Sequence, residues 1–146
     1  MKKMRSSSGI RQGVADHNCL QFGTAEQTSN ACVLAYTDSA GVLNVNADLS
    51  PAYGQSVIRN IEWDRNANTV TIADTFSGSA TWRCFVNQLP SVSGDTVTTG
   101  ALTIRQAGGT PVIVDMEAVE PSGFNQGTAG PWAIEFAAGS PVEISW

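Results

Sequence analysis

The sequence predicts an all-β fold, a two-layer antiparallel sandwich, and three observations support this. Apolar and polar residues alternate through several short segments, as expected of strands with one buried face. Turn residues separate these segments, with 14 glycines and 6 prolines among 146 residues. No window has the i, i+3, i+4 apolar spacing of an amphipathic helix. We expect about ten strands, with an open β-barrel as the alternative architecture.

The clearest element is a hairpin made of strands Val57–Asp64 and Thr69–Phe76. Each strand has one largely apolar face, which also carries Arg59 in the first strand and Asp74 in the second. The short Asn-rich loop between the strands is typical of an antiparallel hairpin. We therefore expect these two strands to pair and to bury the shared apolar face.

The same alternation predicts eight further strands, at residues 31–36, 42–48, 80–89, 96–98, 101–106, 111–117, 132–136 and 142–146. The strands at 101–106 and 111–117 flank a Gly-Gly turn, so we expect them to form a hairpin. The last two strands are predicted to form another hairpin across residues 138–140. A loop containing Pro51, Tyr53 and Gly54 precedes the central hairpin.

Length and charge indicate one domain, residues 10–146, after a basic, Ser-rich leader at residues 1–9 that we expect to be disordered. The net charge is −5, and beyond Arg5 the chain has five arginines against thirteen acidic residues. Such a surface repels phosphate and anionic lipid, so neither nucleic acid nor membrane is an expected partner. No segment resembles a signal peptide or a transmembrane helix.

The three cysteines, Cys19, Cys32 and Cys84, lack metal-binding spacing. We expect buried, reduced thiols, with a Cys19–Cys32 disulfide as the alternative. With one histidine and no recognisable calcium loop, the sequence predicts no metal site and no other cofactor.

Several short motifs follow one another in a specific order over roughly residues 10–118. They are Arg11-Gln12-Gly13, Ala15-Asp16-His17-Asn18, Gly23 with Gln27, the turn 38–41, residues 47–53, Ile58-Arg59-Asn60, Asp64-Arg65, the strand 70–76 and the strand 82–85. In this order they resemble the C-terminal β-sandwich domain of the heparinase II/III-like family of polysaccharide lyases. The resemblance implies a sandwich that forms one wall of a sugar-cleaving cleft. The helical toroid that forms the other wall in this family has no counterpart in the sequence.

The resemblance places His17 at the family's site-facing histidine, which makes it the candidate catalytic residue. An imidazole is also well suited to acid–base chemistry near neutral pH. Asn18, a further candidate for ligand binding, would follow it as an orienting or packing neighbour, and Arg11 is another such candidate. A purely structural role for His17 is the alternative.

Arg59 and Tyr53 are candidates for contacts with the sugar. Arg59 could bind a carboxylate, although an ion pair with Glu62, Asp64 or Asp74 is the favoured interpretation. Tyr53 could serve as an acid, although packing beneath its loop is favoured.

Tryptophans could stack on sugar rings. Trp132 is the candidate for this role, and both Trp132 and Trp146 could either bind or pack. Trp63 and Trp82 share faces with apolar residues, so we expect both to lie in the core.

We therefore expect a stand-alone sandwich without lyase activity that binds an acidic polysaccharide or a protein partner. A carbohydrate-binding module and a residual lyase acting on uronate-containing glycans are the alternatives. A sandwich without its toroid would expose apolar surface, which predicts a homo-oligomer or a partner that covers this surface. The sequence as it stands predicts a cytoplasmic protein, and a periplasmic or secreted one if it is a fragment of a longer lyase.

Overall fold

The structure is a computed structural model, and it describes residues 19–23, 32–116 and 132–146. These residues form twelve strands and one short helix. In chain order they are β1 (Cys19–Gln21), β2 (Cys32–Ser39), β3 (Val42–Asp48), α1 (Ser50–Tyr53), β4 (Val57–Asp64), β5 (Thr69–Phe76), β6 (Thr81–Val86), β7 (Ser91–Ser93), β8 (Thr96–Thr99), β9 (Leu102–Gln106), β10 (Val112–Asp115), β11 (Trp132–Ala137) and β12 (Val142–Ser145). Residues 1–18, which include the leader, and the segments 24–31 and 117–131 lie outside the described residues.

The strands form two antiparallel sheets, which confirms the predicted sandwich. One sheet has four strands in the order β1-β6-β11-β10, and the other has eight in the order β2-β3-β4-β5-β12-β9-β8-β7. Neither sheet closes on itself within the described residues. The described strands number twelve rather than about ten, because two three-residue strands, β1 and β7, were too short to show alternation.

The central hairpin is confirmed with the predicted bounds of both strands. β4 pairs with β5 so that Val57 lies opposite Phe76 and Arg59 lies opposite Asp74. The turn residue Asn68 has a positive φ of 54°, which asparagine tolerates better than most residues. The apolar face of the hairpin therefore points inward, and its polar face forms part of the outer surface.

Both hairpins predicted near the C-terminal end of the sequence are wrong. β9 pairs with β8 and β12 in the large sheet, whereas β10 pairs with β11 in the small one. Likewise, β11 and β12 belong to different sheets. The glycine-containing links at these positions carry the chain from one sheet to the other, and a turn signal alone does not distinguish such a crossing from a hairpin.

The predicted loop at Pro51–Gly54 contains a single helical turn. The amides of Ala52 and Tyr53 donate hydrogen bonds to the Leu49 carbonyl. Pro51 suits the first turn, where its missing N–H costs nothing, and Gly54 ends the helix with a φ of 66°. With four residues, this described helix is far too short to cross a bilayer.

The core lies between the small sheet and part of the large sheet. Its fully buried side chains come from both layers and are Leu20, Ile134 and Phe136 from the small sheet and Val57, Val97, Ile104 and Val142 from the large one. Trp82 joins them and contacts Phe136, with ring centroids 6.2 Å apart. The prediction that Trp82 belongs to the core is therefore confirmed.

The large sheet extends beyond the small one, and this corrects the prediction for Trp63. Trp63 lies on the inward face of β4 but is 37% exposed, and Tyr36 on β2 is 72% exposed. None of the described residues of β2 and β3 belongs to the core or packs against it. The indole of Trp63 instead lies 5.6 Å from the Arg65 guanidinium, a distance that suits a cation–π contact.

The cysteine prediction is partly wrong. Cys32 is a free, exposed thiol at the start of the edge strand β2, so it is neither buried nor bridged. Cys84 is a free thiol on β6, partly buried against the core. Burial raises the pKa of the Cys84 thiol to about 11, because a thiolate is poorly solvated there.

Candidate functional site

The predicted site residues do not come together in the described part of the chain. Arg11, His17 and Asn18 lie outside the described residues, so their roles remain predictions. Tyr53 lies on α1 and Arg59 on β4. Trp132 lies on β11 of the other sheet.

Arg59 forms an ion pair with Asp74 in the adjacent strand. Its Nε and Nη2 lie 2.7 and 2.8 Å from the two carboxylate oxygens, so the contact is bidentate. The side chains are only 15% and 5% exposed. This ion pair is the interpretation favoured by the sequence. Asp74 neutralises the guanidinium that would otherwise be available to bind a sugar carboxylate.

Tyr53 packs beneath its helical turn, as favoured from sequence. Its hydroxyl donates a hydrogen bond of 3.0 Å to the Leu20 carbonyl. Its ring meets Phe22 edge-on, with centroids 5.2 Å apart. The hydroxyl therefore links α1 to β1. In this arrangement it donates its hydrogen bond to a backbone carbonyl and does not face a substrate as an acid.

Trp132 is half-buried in β11, where it pairs with Val86 and Asp115. On the same strand, Glu135 forms an ion pair with Arg83 directly opposite on β6. These contacts tie together the three strands β6, β11 and β10. Trp132 therefore lies within the small sheet, and its role, in binding or in packing, remains a prediction.

The described residues do form a concave site elsewhere, on the outer face of the large sheet. It is a groove of about 350 Å³ across β2, β3, β4 and β5, near the lower end of the range typical of small-molecule sites. Two rows of outward-facing residues line it, Ala35-Asn46-Asn60-Ala73 and Thr37-Asn44-Glu62-Thr71. The small alanines at both ends of the first row leave room above the sheet.

The groove presents both donors and acceptors. Asn46 donates a hydrogen bond of 2.7 Å from Nδ2 to Oδ1 of Asn60 in the next strand. An amide can form about four hydrogen bonds, so this contact uses a fraction of the capacity of each side chain. Asn44 lies opposite Glu62 in the same pair of strands. Such a surface matches a ligand rich in hydroxyl groups, each of which both donates and accepts.

Negative charge surrounds the groove. Asp48 on β3, Glu62 and Asp64 on β4, and Glu143 on β12 lie on the outward face of the large sheet. The pKa of Asp48 is lowered mainly by a hydrogen bond from the Ser50 side chain and to a smaller extent by one from the Ser50 backbone amide. This carboxylate therefore stays charged in mildly acidic solution. The nearest cation in the same rows, Arg105, pairs with Asp95. This electrostatic field disfavours sulfate and uronate groups in the groove.

Asp95 anchors the turn at the other side of the large sheet. It accepts hydrogen bonds from Arg105, from the Thr96 hydroxyl and from the Gly108 amide. Contacts with these three residues, led by Arg105, lower the pKa of Asp95. Asp95 is therefore a structural carboxylate that joins two turns, and no proton-transfer role follows from its position.

A second cavity of about 400 Å³ lies between the end of β6 and the turn from β8 to β9. Phe85, Val86 and Leu102 supply apolar walls, while Asn87 and Gln88 supply amides. None of the residues around it is ionisable, so it offers no acid–base chemistry. Across the described residues, no group of three His, Cys, Asp or Glu side chains is placed to hold a metal ion.

Sequence reasoning identified the outward faces of β3 and β4 but missed the groove. The signal was the spacing Asn44-x-Asn46 and Asn60-x-Glu62, which places planar polar groups on one face of two strands. What the spacing could not show was that these two strands are neighbours of β2 and β5, whose alanines open the space above the amides.

No protein-family description and no curated protein sequence matches this chain. Among solved structures, the chain is similar to a heparinase III gene product, with a TM-score of 0.61, 9% identity, and coverage of 90% of this chain and 24% of that chain. Heparinase III with methylated lysines gives a TM-score of 0.64 and 11% identity, covering 90% of this chain and 23% of the other. The chain therefore has a heparinase-like fold and spans about a quarter of the length of these structures.

Proposed function

We propose that this chain is a non-catalytic β-sandwich domain related to the C-terminal domain of heparinase II/III-like lyases. The observation that carries the proposal is the fold match, which covers 90% of this chain and about a quarter of the heparinase III chains. The motif order noted in the sequence supports the same assignment. In this proposal the domain contacts a saccharide and contributes no elimination chemistry.

β-Elimination from a uronate needs a group that neutralises the carboxylate, a base for the C5 proton and an acid for the leaving oxygen. Arg59 is engaged with Asp74, and the Tyr53 hydroxyl donates to a backbone carbonyl. Of the candidates, this leaves His17 for proton transfer, with Arg11 and Asn18 for the carboxylate, and no second group for acid–base chemistry. A chain with a single acid–base candidate is better suited to binding than to catalysis.

The non-catalytic part of the proposal is tested by incubating the protein with heparan sulfate, alginate and chondroitin. Elimination produces an unsaturated uronate, whose absorbance growth is easily followed. We expect no growth above the rate without protein. Growth that His17→Ala abolishes would overturn this part of the proposal and favour the residual lyase.

The binding part of the proposal assigns the saccharide to the outer groove. Glu62 in the groove, together with Asp48, Asp64 and Glu143 on the same face of the sheet, favours neutral sugar units over sulfated or uronate units. The amides of Asn46 and Asn60 would bind hydroxyl groups, while Ala35 and Ala73 would contact the C–H face of a sugar ring. The groove lacks a buried anchor, so we expect weak binding, with a Kd on the order of 1 mM.

Binding can be tested by NMR titration with neutral and acidic oligosaccharides. We expect shifts in β3 and β4 with neutral ligands, and Asn60→Ala should weaken binding about three- to tenfold because it removes one or two hydrogen bonds. Thr75→Ala, an exposed position on β5 outside the groove, is the matched control and should have no effect. Shifts that appear only with acidic ligands would contradict the assignment to this groove.

A further inference from the structure

The four edges of the two sheets differ greatly in length. The small sheet ends in β1, with three residues, and β10, with four residues that follow Pro111. The large sheet ends in β7, with three residues, and in β2, with eight. Short strands and prolines are ways in which proteins keep sheet edges from pairing with other chains. Only β2, among the described edges, lacks this protection.

The residues of β2 do not protect it either. The strand Cys32–Ser39 contains no lysine, arginine, proline or glycine. Leu34 is 57% exposed and Tyr36 is 72% exposed. The pairing with β3 is irregular between Val33 and Ala35 but regular from Ala35 to Ser39, so half of the strand offers a straight edge of backbone groups.

The charge along this edge is nearly neutral. Its one acidic residue, Asp38, forms an ion pair with Arg65. The chain as a whole carries a net charge of −5, so two copies repel each other over most of their surface. Repulsion between the two copies is weak along β2, because Arg65 neutralises the carboxylate of Asp38 there.

We propose that β2 pairs with the β2 strand of a second copy, antiparallel and about a twofold axis, to form a dimer with one continuous sheet. A twofold axis makes a strand pair with itself in the antiparallel direction, and the same residues then meet from both sides. The axis passes close to Tyr36, in the middle of the strand. The uncovered apolar surface that includes Tyr36 and Trp63 continues into the contact, so burial of apolar area adds to the backbone hydrogen bonds.

The oligomeric state tests the proposal directly. Sedimentation velocity of the whole chain should give a mass near twice 15.4 kDa, which falls to the monomer mass on dilution. The variant Leu34→Lys/Tyr36→Lys should raise the dissociation constant at least about tenfold, since it removes apolar contact and places like charges across the axis. Both positions are exposed, so we expect the monomer to fold.

The matched control is Leu89→Lys/Val92→Lys, which makes the same kind of change at the opposite edge of the large sheet. Leu89 and Val92 are 70% and 48% exposed, and this variant should remain dimeric. A wild-type protein that stays monomeric up to about 1 mM would overturn the proposal. So would a dimer that both double variants weaken equally.

Cysteine cross-linking tests the geometry independently of stability. In a background in which Cys19, Cys32 and Cys84 are replaced (Cys19→Ser, Cys32→Ser, Cys84→Ala), single cysteines are placed in turn at positions 34 to 38 and oxidised. In antiparallel self-pairing, only a residue next to the axis meets its own copy within the Cα separation of about 4.4–6.8 Å that a disulfide needs. Cross-linking should peak at one position and fall on both sides. A dimer with no such peak would place the contact elsewhere and refute the pairing of β2 with itself. The proposal would also be refuted if β2 paired with an extended peptide of another protein or with residues 24–31.

Discussion

Two regions of the large sheet share the alternation of apolar and polar residues but differ in their surroundings. Strands β5, β12, β9 and β8 lie under the small sheet and contribute core residues such as Ile104 and Val142, which are almost fully buried. Strands β2 and β3 extend past that cover. Strand β4 belongs to both regions, because Val57 at its start is fully buried and Trp63 near its end is 37% exposed.

This difference separates two properties that alternation in the sequence does not distinguish. Alternation fixes which face of a strand a residue occupies. Whether that face is covered depends on where the second layer ends, which follows from pairing between distant segments. The covered region should therefore carry most of the stability, and the uncovered region should be available for binding and association.

The largest expected difference is between two aromatic truncations. Phe136→Ala removes a buried ring of the small sheet from the core over the covered region and should lower the free energy of unfolding by about 3–5 kcal/mol. Trp63→Ala removes a larger side chain from the uncovered region and should cost only about 1 kcal/mol. Urea denaturation measures both, and equal losses would show that something covers Trp63 in solution.

The Arg59–Asp74 pair lies on the inward face of the large sheet, with side chains 15% and 5% exposed. Asp74→Ala leaves the guanidinium without its carboxylate and should cost about 3 kcal/mol. The double variant Arg59→Met/Asp74→Leu should be more stable than Asp74→Ala, because it leaves no buried charge without its partner. If Asp74→Ala alone changes the denaturation midpoint little, water reaches this pair.

Cys84 reports on the packing against the core through pH. The Cys84 pKa of about 11, against 9.0 for an unperturbed thiol, means that the unfolded chain loses this proton first as the pH rises. The stability contributed by the protonated thiol is complete below pH 9 and falls by about 1.4 kcal/mol per pH unit between pH 9 and pH 11. The difference in unfolding free energy between wild type and Cys84→Ala should show this fall.

Thiol reactivity provides the complementary measurement. A thiol reagent at pH 8 should label the exposed Cys32 quickly and Cys84 slowly, because burial both shields Cys84 and keeps it protonated. Rapid labelling of Cys84 in the folded protein would contradict the packing described for β6. The measurement is made in a Cys19→Ser background, where Cys32→Ser removes the fast phase and serves as the control.

The smallest effect is expected for the exposed ion pair at the uncovered end. Asp38 and Arg65 have side chains 45% and 40% exposed, so Asp38→Asn should change the unfolding free energy by about 0.5 kcal/mol or less. Arg65 also keeps its hydrogen bond to the Gly41 carbonyl and its position over Trp63. A loss of more than about 2 kcal/mol in urea denaturation would show that this end is packed more tightly than described.

The sequence predicted local features well. The bounds of β3, β4 and β5 were correct because their alternation is regular and the β4–β5 loop is short. The partners of β9 and β12 were wrong because pairing between distant segments leaves no local signal. Arg59 was correctly paired with an acidic neighbour, since opposite charges on facing strands attract. The groove was missed because its depth depends on Ala35 and Ala73 in strands whose order the sequence does not reveal.

The position of β12 has a consequence for how the chain folds. This strand joins β5 to β9 at the middle of the large sheet, although all of its neighbours are synthesised before it. Until residues 142–145 have emerged from the ribosome, the large sheet of the nascent chain therefore consists of two separate fragments, each with an open edge. Completion depends on contacts between residues far apart in sequence, which slows folding and leaves time for chaperones to bind the edges of β5 and β9.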